Sequence, residues 1–489
     1  MMKRILISGL IGILSYTSFA QEKIKFVEYD LPNGMHVILH EEKSTPIVAV
    51  SVLYHVGSKN EKSDRTGFAH FFEHLLFEGT KNIERGEYAK IVERAGGTLN
   101  ANTSMDRTYY FELLPSNQLE LGLWLESERL LHAKVENVGI ETQRSVVKEE
   151  KRMRVDNQPY ATFFTEMFKR MFTDHPYNWQ PIGSMEHLDA AQEEDYVGFY
   201  HTFYVPSNAT LSIAGDIDVA TTKKLIDKYF ATIPSGQALN MYRDFLTLED
   251  AAFTNKYGVE KSVFGDDFFA LKNAKAKEAF AKFSKMPTVV NRPNKNFTPL
   301  NTVIKDVVYD NIQLPALFVG YQLPDQKHPD FYALEMMNKV LSGGSSSRMN
   351  KEIVERKELA MQAFSFAYGL EDAGIGLFAA IANKDVNLED IQVIMDQEIE
   401  KIKGELISEE EFTTIRNQME NSAVSSYSTV AGICESLADS HVYYGSANYV
   451  NEELGKYLAV TREDIKRVAN KYLNKDARVI LHYLPKADK

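Results

Sequence analysis

The residues with most chemistry in this chain of 489 lie between Phe68 and Thr80, which read FAHFFEHLLFEGT. Inside that stretch stands His70-Phe71-Phe72-Glu73-His74. Two histidines four apart lie one above the other on an α-helix, because side chains at i and i+4 share a face. At about 100° per residue, Glu73 and Phe77 fall on that face too. Phe71, Phe72, Leu75 and Leu76 point elsewhere and can be buried. Two neutral imidazoles held on one face suit Zn²⁺, at about 2.0–2.1 Å per Zn–N bond. Glu73, not needed as a ligand, can act as a general base toward a water that the metal activates. The other reading is a helix with two hydrogen-bonded histidines and a surface glutamate, and five residues alone do not decide between them.

A tetrahedral zinc needs a third protein ligand and keeps one position open. The best candidate lies in ETQRSVVKEEKRMR, residues 141–154. On a helix, Val146, Val147, Glu150 and Met153 share one stripe with Glu150 near its centre, while Lys148, Glu149 and Arg152 point away. A carboxylate centred on an apolar stripe is costly unless it is paired or bound to a metal, which singles out Glu150 over Glu149. A buried salt bridge at Glu150 is the alternative.

HFFEH, followed 76 residues after His74 by Glu150, resembles the inverted-zincin peptidases, the family of pitrilysin, insulysin and the mitochondrial processing peptidase. HExxH occurs nowhere in the chain. The flanks agree in order and spacing: LPNGMHVIL (31–39), HVGSKNE (55–61), GGTLNANTSMDRTYYFELLP (96–115), HPYNWQPIG (175–183) and FYVPSNATLSIAGDID (203–218) all resemble family segments. The likeness is to the short two-domain bacterial members. It implies an α+β fold of two homologous α/β-roll domains, forming half of a clam-like chamber. It implies one zinc per chain, held by His70, His74 and Glu150, with Glu73 as catalytic base. It also implies that Asn100 and Ala101, in TLNANT (98–103), face an extended substrate. That segment follows a Gly-Gly turn and alternates as an edge strand does, so a peptide can add to it through backbone hydrogen bonds. The alternation does not reveal which N–H groups point outward.

The elements that must position these residues are also legible. Met1–Ala20 reads as a signal peptide: Lys3 and Arg4 form a basic start, ILISGLIGIL an apolar core, and Ser18-Phe19-Ala20 a small-residue end. Its removal takes the formal charge from −13 to −15. The expectation is an exported protein, in the periplasm of a Gram-negative bacterium. An acidic balance argues against nucleic-acid binding, and no later run reaches membrane-spanning length. Cys434 is the only cysteine, so no internal disulfide can form, and its apolar neighbours predict a buried small residue.

The chain carries a faint duplication. PIVAVSVLYHVGS (46–58) precedes a helix and a Gly-Thr turn; PALFVGYQLP (315–324) precedes DFYALEMMNKVL (330–341) and GGSSSR. The segments 193–216 and 462–485 both read as helix, short turn and β-branched strand. This suits two similar domains, 24–236 and 301–489, each a sheet with helices packed on one side. The metal motif is present only in the first. GGSSSR lacks the Gly-Lys-Ser/Thr of a phosphate loop and reads as a turn after a helix. Residues 237–300 differ in composition and read as an extended linker containing an Ala/Lys-rich helix, followed by a Pro/Asn-rich piece.

Two departures from the family pattern bear on function. Gln143, seven residues before Glu150, replaces a frequent second glutamate; its amide can still hydrogen-bond behind a ligand but removes a charge. In Val354-Glu355-Arg356-Lys357-Glu358-Leu359-Ala360-Met361, Val354 and Met361 stand where the family offers an Arg and a Tyr. The resemblance gives that pair the task of gripping substrate opposite the metal. The expected assembly is therefore a heterodimer whose homologous partner supplies the Arg/Tyr pair; the alternative is a homodimer or monomer in which Tyr368 or Arg356 substitutes. The rival class is a non-catalytic core or assembly protein of the same fold, against which the intact His70/Glu73/His74/Glu150 set argues.

Overall fold

The computed structural model describes residues 23–293 and 295–486; the targeting segment read over 1–20 lies outside the described residues. The first sheet holds β1 (Val27–Asp30), β2 (His36–Glu41), β3 (Ile47–Tyr54), β4 (Thr98–Thr103), β5 (Thr108–Pro115) and β6 (Ala209–Gly215). Its order is β1-β2-β6-β3-β5-β4. The second holds β7 (Ile304–Asp310), β8 (Ala316–Leu323), β9 (Ala360–Gly369), β10 (Gly374–Ala382) and β11 (Val479–Pro485). Its order is β7-β11-β8-β10-β9.

Apart from β1, the two sheets are one topology used twice. β2 runs parallel to β6 and β7 parallel to β11, while every other pair is antiparallel. A parallel pair requires a long crossover, and here each crossover is the rest of its own half. The duplication read from the two segment pairs is thus a duplication of fold.

The sheets are not covered on one side only. Seven of eight residues of β3 (IVAVSVLY) are buried, as a β-branched run without alternation requires when both faces are covered. One face packs on helices of its own half. Across the other lies the helix Val430–Tyr444 from the second half, which contacts β2, β3 and β6. Its Ile433, Cys434 and Leu437 join Ile38, Ala49 and Ala214 in one apolar cluster. The exchange is mutual: the helix Phe163–Met171 of the first half packs on β8 and β11, with Met167, Phe168 and Met171 against Phe318 and Leu481. Neither sheet face could be left bare, so each half supplies the other's cover. Cys434 is fully buried in this seam.

The segment 237–300 is more structured than an extended linker with one helix. Three helices, Gln237–Thr247, Asp250–Tyr257 and Ala274–Ser284, enclose their own aromatic cluster of Tyr242, Phe253, Tyr257, Phe264 and Phe268. Those rings are scattered singly among charged residues, which hides them from a periodicity reading. The following chain is a strap over both halves. Arg292 donates to Asn208 Oδ1 of the first half at 2.6 Å, and the Leu300 amide to Gln322 Oε1 of the second at 2.7 Å.

Candidate metal centre

The motif forms a short helix, Phe68–Leu75. Phe68, Phe71, Phe72 and Leu75 are buried, and Phe72 stacks on Phe199 and Tyr200 of the helix Glu193–Phe203. The apolar sides thus anchor the helix and leave one side for His70, Glu73 and His74. Phe77 does not share that side. The helix ends at Leu75, so Phe77 leaves the helical path and packs edge-on to Tyr88 instead.

Three groups that sequence reasoning missed hold this helix in place. The Glu61 carboxylate accepts the backbone N–H groups of Gly67 (2.9 Å) and Ala69 (2.8 Å), capping the helix N-terminus. Gly67 has φ +97°, and a side chain there would also crowd Gly183. At the other end Arg129, fully buried, donates to the Leu76 carbonyl at 3.0 Å and lies over the rings of Phe77, Tyr88 and Tyr110. The Tyr110 hydroxyl donates to the Phe72 carbonyl at 2.8 Å. The one sequence signal was Arg129 itself, a cation in an apolar helix with Glu126 three residues before it.

The second contributor is the helix Asn137–Lys151, which packs against the motif helix. Glu150 Oε2 lies 3.5 Å from His70 Nε2 and 3.1 Å from His74 Nε2. The stripe argument that singled out Glu150 is corrected in its detail: Val147 is buried, but Val146 is 43% exposed and Met153 60%. Glu150 faces the two histidines rather than an apolar surface. Its Oε1 pairs with Arg154 at 2.8 Å, whereas its buried Oε2 has no hydrogen-bond partner among the described residues.

This geometry fits a zinc ion. One donor atom from each of His70, His74 and Glu150 lies within 4.8 Å of the others. Two bonds of about 2.0–2.1 Å at a tetrahedral angle put their donors about 3.3–3.5 Å apart, close to the spacing seen. Burial and the neighbouring His74 hold His70 down to about 4, so its ring is neutral, the form a metal requires. Burial pushes Glu73 up, against the Thr103 hydroxyl on β4. Gln143 donates its amide to Glu78, and its buried Oε1 has no hydrogen-bond partner among the described residues.

β4 is the edge strand of the first sheet and lies beside the motif helix. Asn100 and Asn102 are exposed and Ala101 is half-buried. The Ser104 N–H donates to the Arg107 carbonyl at 2.8 Å, and in an antiparallel ladder of this register every second residue back from Ser104 bonds to β5, so Ala101 turns its backbone toward the open edge, where its N–H meets Asn100 Oδ1 at 2.9 Å. By alternation Leu99 and Thr103 do the same, and Asn100 and Asn102 turn theirs toward β5. In the second half, Val354 packs against the core and Met361 is 64% exposed on the edge strand β9. Neither can donate a hydrogen bond. Tyr368 is packed against Phe164 and Phe168, and Arg356 pairs with Glu352.

A duplicated sheet with an imidazole, imidazole and carboxylate cluster in one half defines the class: a two-domain chain on the M16 peptidase fold. Residues 36–181 match the family described as Insulinase (Peptidase family M16), and residues 191–419 match the Peptidase M16 inactive domain. The zinc protease PqqE of Helicobacter pylori is 30% identical over 95% of this chain and 94% of its own length. A probable mitochondrial-processing peptidase subunit beta of Arabidopsis thaliana is 24% identical over 91% of this chain and 75% of its own. The crystal structure of a protease from Helicobacter pylori superposes with a TM-score of 0.79 at 28% identity, covering 94% of this chain and all of that one. The chain belongs to peptidase family M16, the insulinase family. No helix among the described residues is long and apolar enough to cross a membrane.

Proposed function

We propose that this chain is an exported zinc metalloendopeptidase, or the metal-bearing subunit of one, that hydrolyses peptides or unfolded polypeptide segments. The observation that carries this reading is the convergence of His70 Nε2, His74 Nε2 and Glu150 Oε2, which accepts no hydrogen bond among the described residues, from two helices far apart in sequence. Both relatives above bear peptidase names, one of them as a zinc protease. Export and a periplasmic location rest on the basic, apolar and small-residue order of Met1–Ala20.

His70, His74 and Glu150 hold the zinc, one per chain, which when bound supplies a Lewis acid that polarises the scissile carbonyl and acidifies water. Glu73 takes the proton of the attacking water and passes it to the leaving amine. Its half-buried setting raises its proton affinity, which suits a group that must accept and return a proton. Gln143 positions the environment behind the ligands through Glu78. Asn100 and Ala101 on β4 present an extended peptide to this side of the helix, with the outward backbone of Leu99, Ala101 and Thr103 pairing to it.

Metal analysis tests the reading. Purified wild-type protein should carry close to one zinc per chain, Glu150→Gln should lose it, and a chelator should abolish peptide hydrolysis reversibly. Wild-type protein without metal would overturn the proposal.

One observation favours a second arrangement at the same site. Val354 and Met361 supply no donor opposite the cluster, so the active unit is a heterodimer with a homologous subunit that brings an Arg/Tyr pair. A homodimer is the alternative. If the chain never hydrolyses peptides in any pairing, the non-catalytic binding or assembly reading takes its place.

A further inference from the structure

The duplication of the fold gives the second half a counterpart of the metal cleft. In the first half the cleft lies between the motif helix and the helix Asn137–Lys151. By element order, its equivalent lies between the helices Asp330–Ser342 and Glu409–Ser426, which also pack together. The motif helix and Asp330–Ser342 are each followed by a turn glycine with positive φ, Gly79 at +149° and Gly344 at +114°. Counted back from those glycines, Glu335 occupies the place of His70 and Lys339 the place of His74.

A cleft of about 410 Å³ stands there, lined by Glu335, Lys339 and residues of Glu409–Ser426 among others. Its chemistry has changed from two imidazoles to a carboxylate and an ammonium, Glu335 and Lys339, with phenols and a second carboxylate around them. Glu335 accepts the Tyr457 hydroxyl, and Glu453 accepts that of Tyr427 at 3.2 Å. Tyr444 and Tyr449 stack in parallel with centroids 3.6 Å apart. Neither Glu335 nor Glu453 has a cation within ion-pair distance among the described residues. Burial pushes Glu335 up to about 7, against the opposing pull of the Tyr457 hydroxyl and of Lys339, and raises Glu453. A third carboxylate, Asp439, is held at the rim by Arg107 at 2.8 Å, and Arg107 also donates to Asn102 Oδ1 on β4 at 2.7 Å. Gln326 also lines the cleft, and its buried Nε2 has no hydrogen-bond partner among the described residues.

We propose that this cleft binds the ammonium or guanidinium head of a lysine or arginine side chain in a bound polypeptide. Tyrosine rings and partly buried carboxylates together favour an organic cation, through cation–π attraction and charge-assisted hydrogen bonds, and Lys456 already lies 5.5 Å over the Tyr449 ring at the edge of the group. A bare metal ion is not served: the groups among the described residues whose donor atoms cluster tightly enough for one lie elsewhere, at His70, His74 and Glu150 and at Glu28, His36 and His441. The proposal rests on the peptidase reading only for the polypeptide nature of the ligand.

The test is peptide binding, read apart from hydrolysis. Full-length protein carrying Glu73→Gln is titrated, by fluorescence anisotropy, into one unstructured lysine-containing peptide and its fully acetylated form. The native peptide should bind at least about tenfold more tightly, as a desolvated charge paired with carboxylate and aromatic faces requires. Glu335→Gln with Glu453→Gln should erase that preference while leaving zinc content unchanged. Equal affinity for the two peptides, or a preference that survives both substitutions, would overturn the proposal. If the double variant does not fold, Glu453→Gln alone and the acetylation comparison, which needs no variant, still decide. Putrescine that displaces the peptide at micromolar concentration would make a free polyamine the occupant and refute the side-chain assignment. Failure of the peptidase reading shows separately, as absent zinc or hydrolysis indifferent to Glu73.

Discussion

Lys59 Nζ lies 2.7 Å from Glu371 Oε2, joining the two halves across 312 positions of sequence. The same ammonium reaches Asp106 at 3.0 Å and Asp372 at 3.1 Å, and all four side chains are at most 9% exposed. His55 donates to Glu371 at 2.7 Å, and the Tyr177 hydroxyl to Asp106 at 2.6 Å. One buried cation therefore organises three buried carboxylates at the seam, with the exposed Lys295 reaching Glu371 and Asp372 from outside at 3.7 and 3.5 Å. Lys59→Met should destabilise the protein by about 3–5 kcal/mol, because it strands buried charge rather than deleting a surface pair. Urea unfolding at neutral pH checks the magnitude.

The same seam sets an acid limit. Burial opposes ionisation of Glu371, but His55 and Lys59 outweigh it and hold the carboxyl well below the usual carboxylate range. Asp372 is shifted the same way, through His175 and Lys59. A depressed folded-state pKa contributes stability that is present above the unfolded value, about 4.3 for Glu, and is lost as pH falls below it toward the folded value. Stability should thus fall below about pH 4.3, and the Lys59→Met variant should show a shallower fall in that window. Melting temperatures from pH 7 to pH 3 give the comparison; parallel curves would contradict it.

Replacing Glu73 by Gln keeps shape and leaves the three proposed ligands untouched. Zinc content should be retained while peptide hydrolysis falls by at least about 10²-fold, the scale of a positioned acid–base group. Hydrolysis near the wild-type rate would remove Glu73 from the proton path.

The edge strand offers a paired test. Ala101→Pro removes an outward N–H and should weaken peptide binding in a protein that still folds. Asn102→Pro removes an N–H directed at β5 and should instead destabilise the sheet, by about 3 kcal/mol or more if proline costs here what it does in other regular elements. Peptide affinity unchanged in folded Ala101→Pro protein would place the substrate elsewhere.

The partner is tested by mixing. An oxyanion lacking one donor typically costs about 10²–10³ in rate. Assayed alone, the chain should hydrolyse peptides slowly, and adding a homologous subunit with the Arg/Tyr pair should raise the rate about 10²-fold, an effect lost when that pair is removed. Full activity alone, with no second chain co-purifying, would defeat the heterodimer.

The sequence by itself determined the local chemistry. The spacing of His70, Glu73 and His74 dictates a shared helical face, because helical geometry is set by neighbours in the chain. TLNANT alternates and does form the edge strand β4, and the segment pairs 46–58 with 315–324 and 193–216 with 462–485 do mark a repeated fold. Tertiary structure decided what depends on distant parts. That Glu150 meets His74 is a result of helix packing, not of an apolar stripe, since Val146 and Met153 are exposed. The caps on the motif helix come from Glu61 and Arg129, which no local pattern connects to it. The crossing helices Phe163–Met171 and Val430–Tyr444 look like any amphipathic helix in sequence, because periodicity gives a buried face but not which sheet will cover it. Likewise alternation fixes that β4 has an open edge, yet only the pairing with β5 fixes that Ala101, and not Asn102, presents its backbone there.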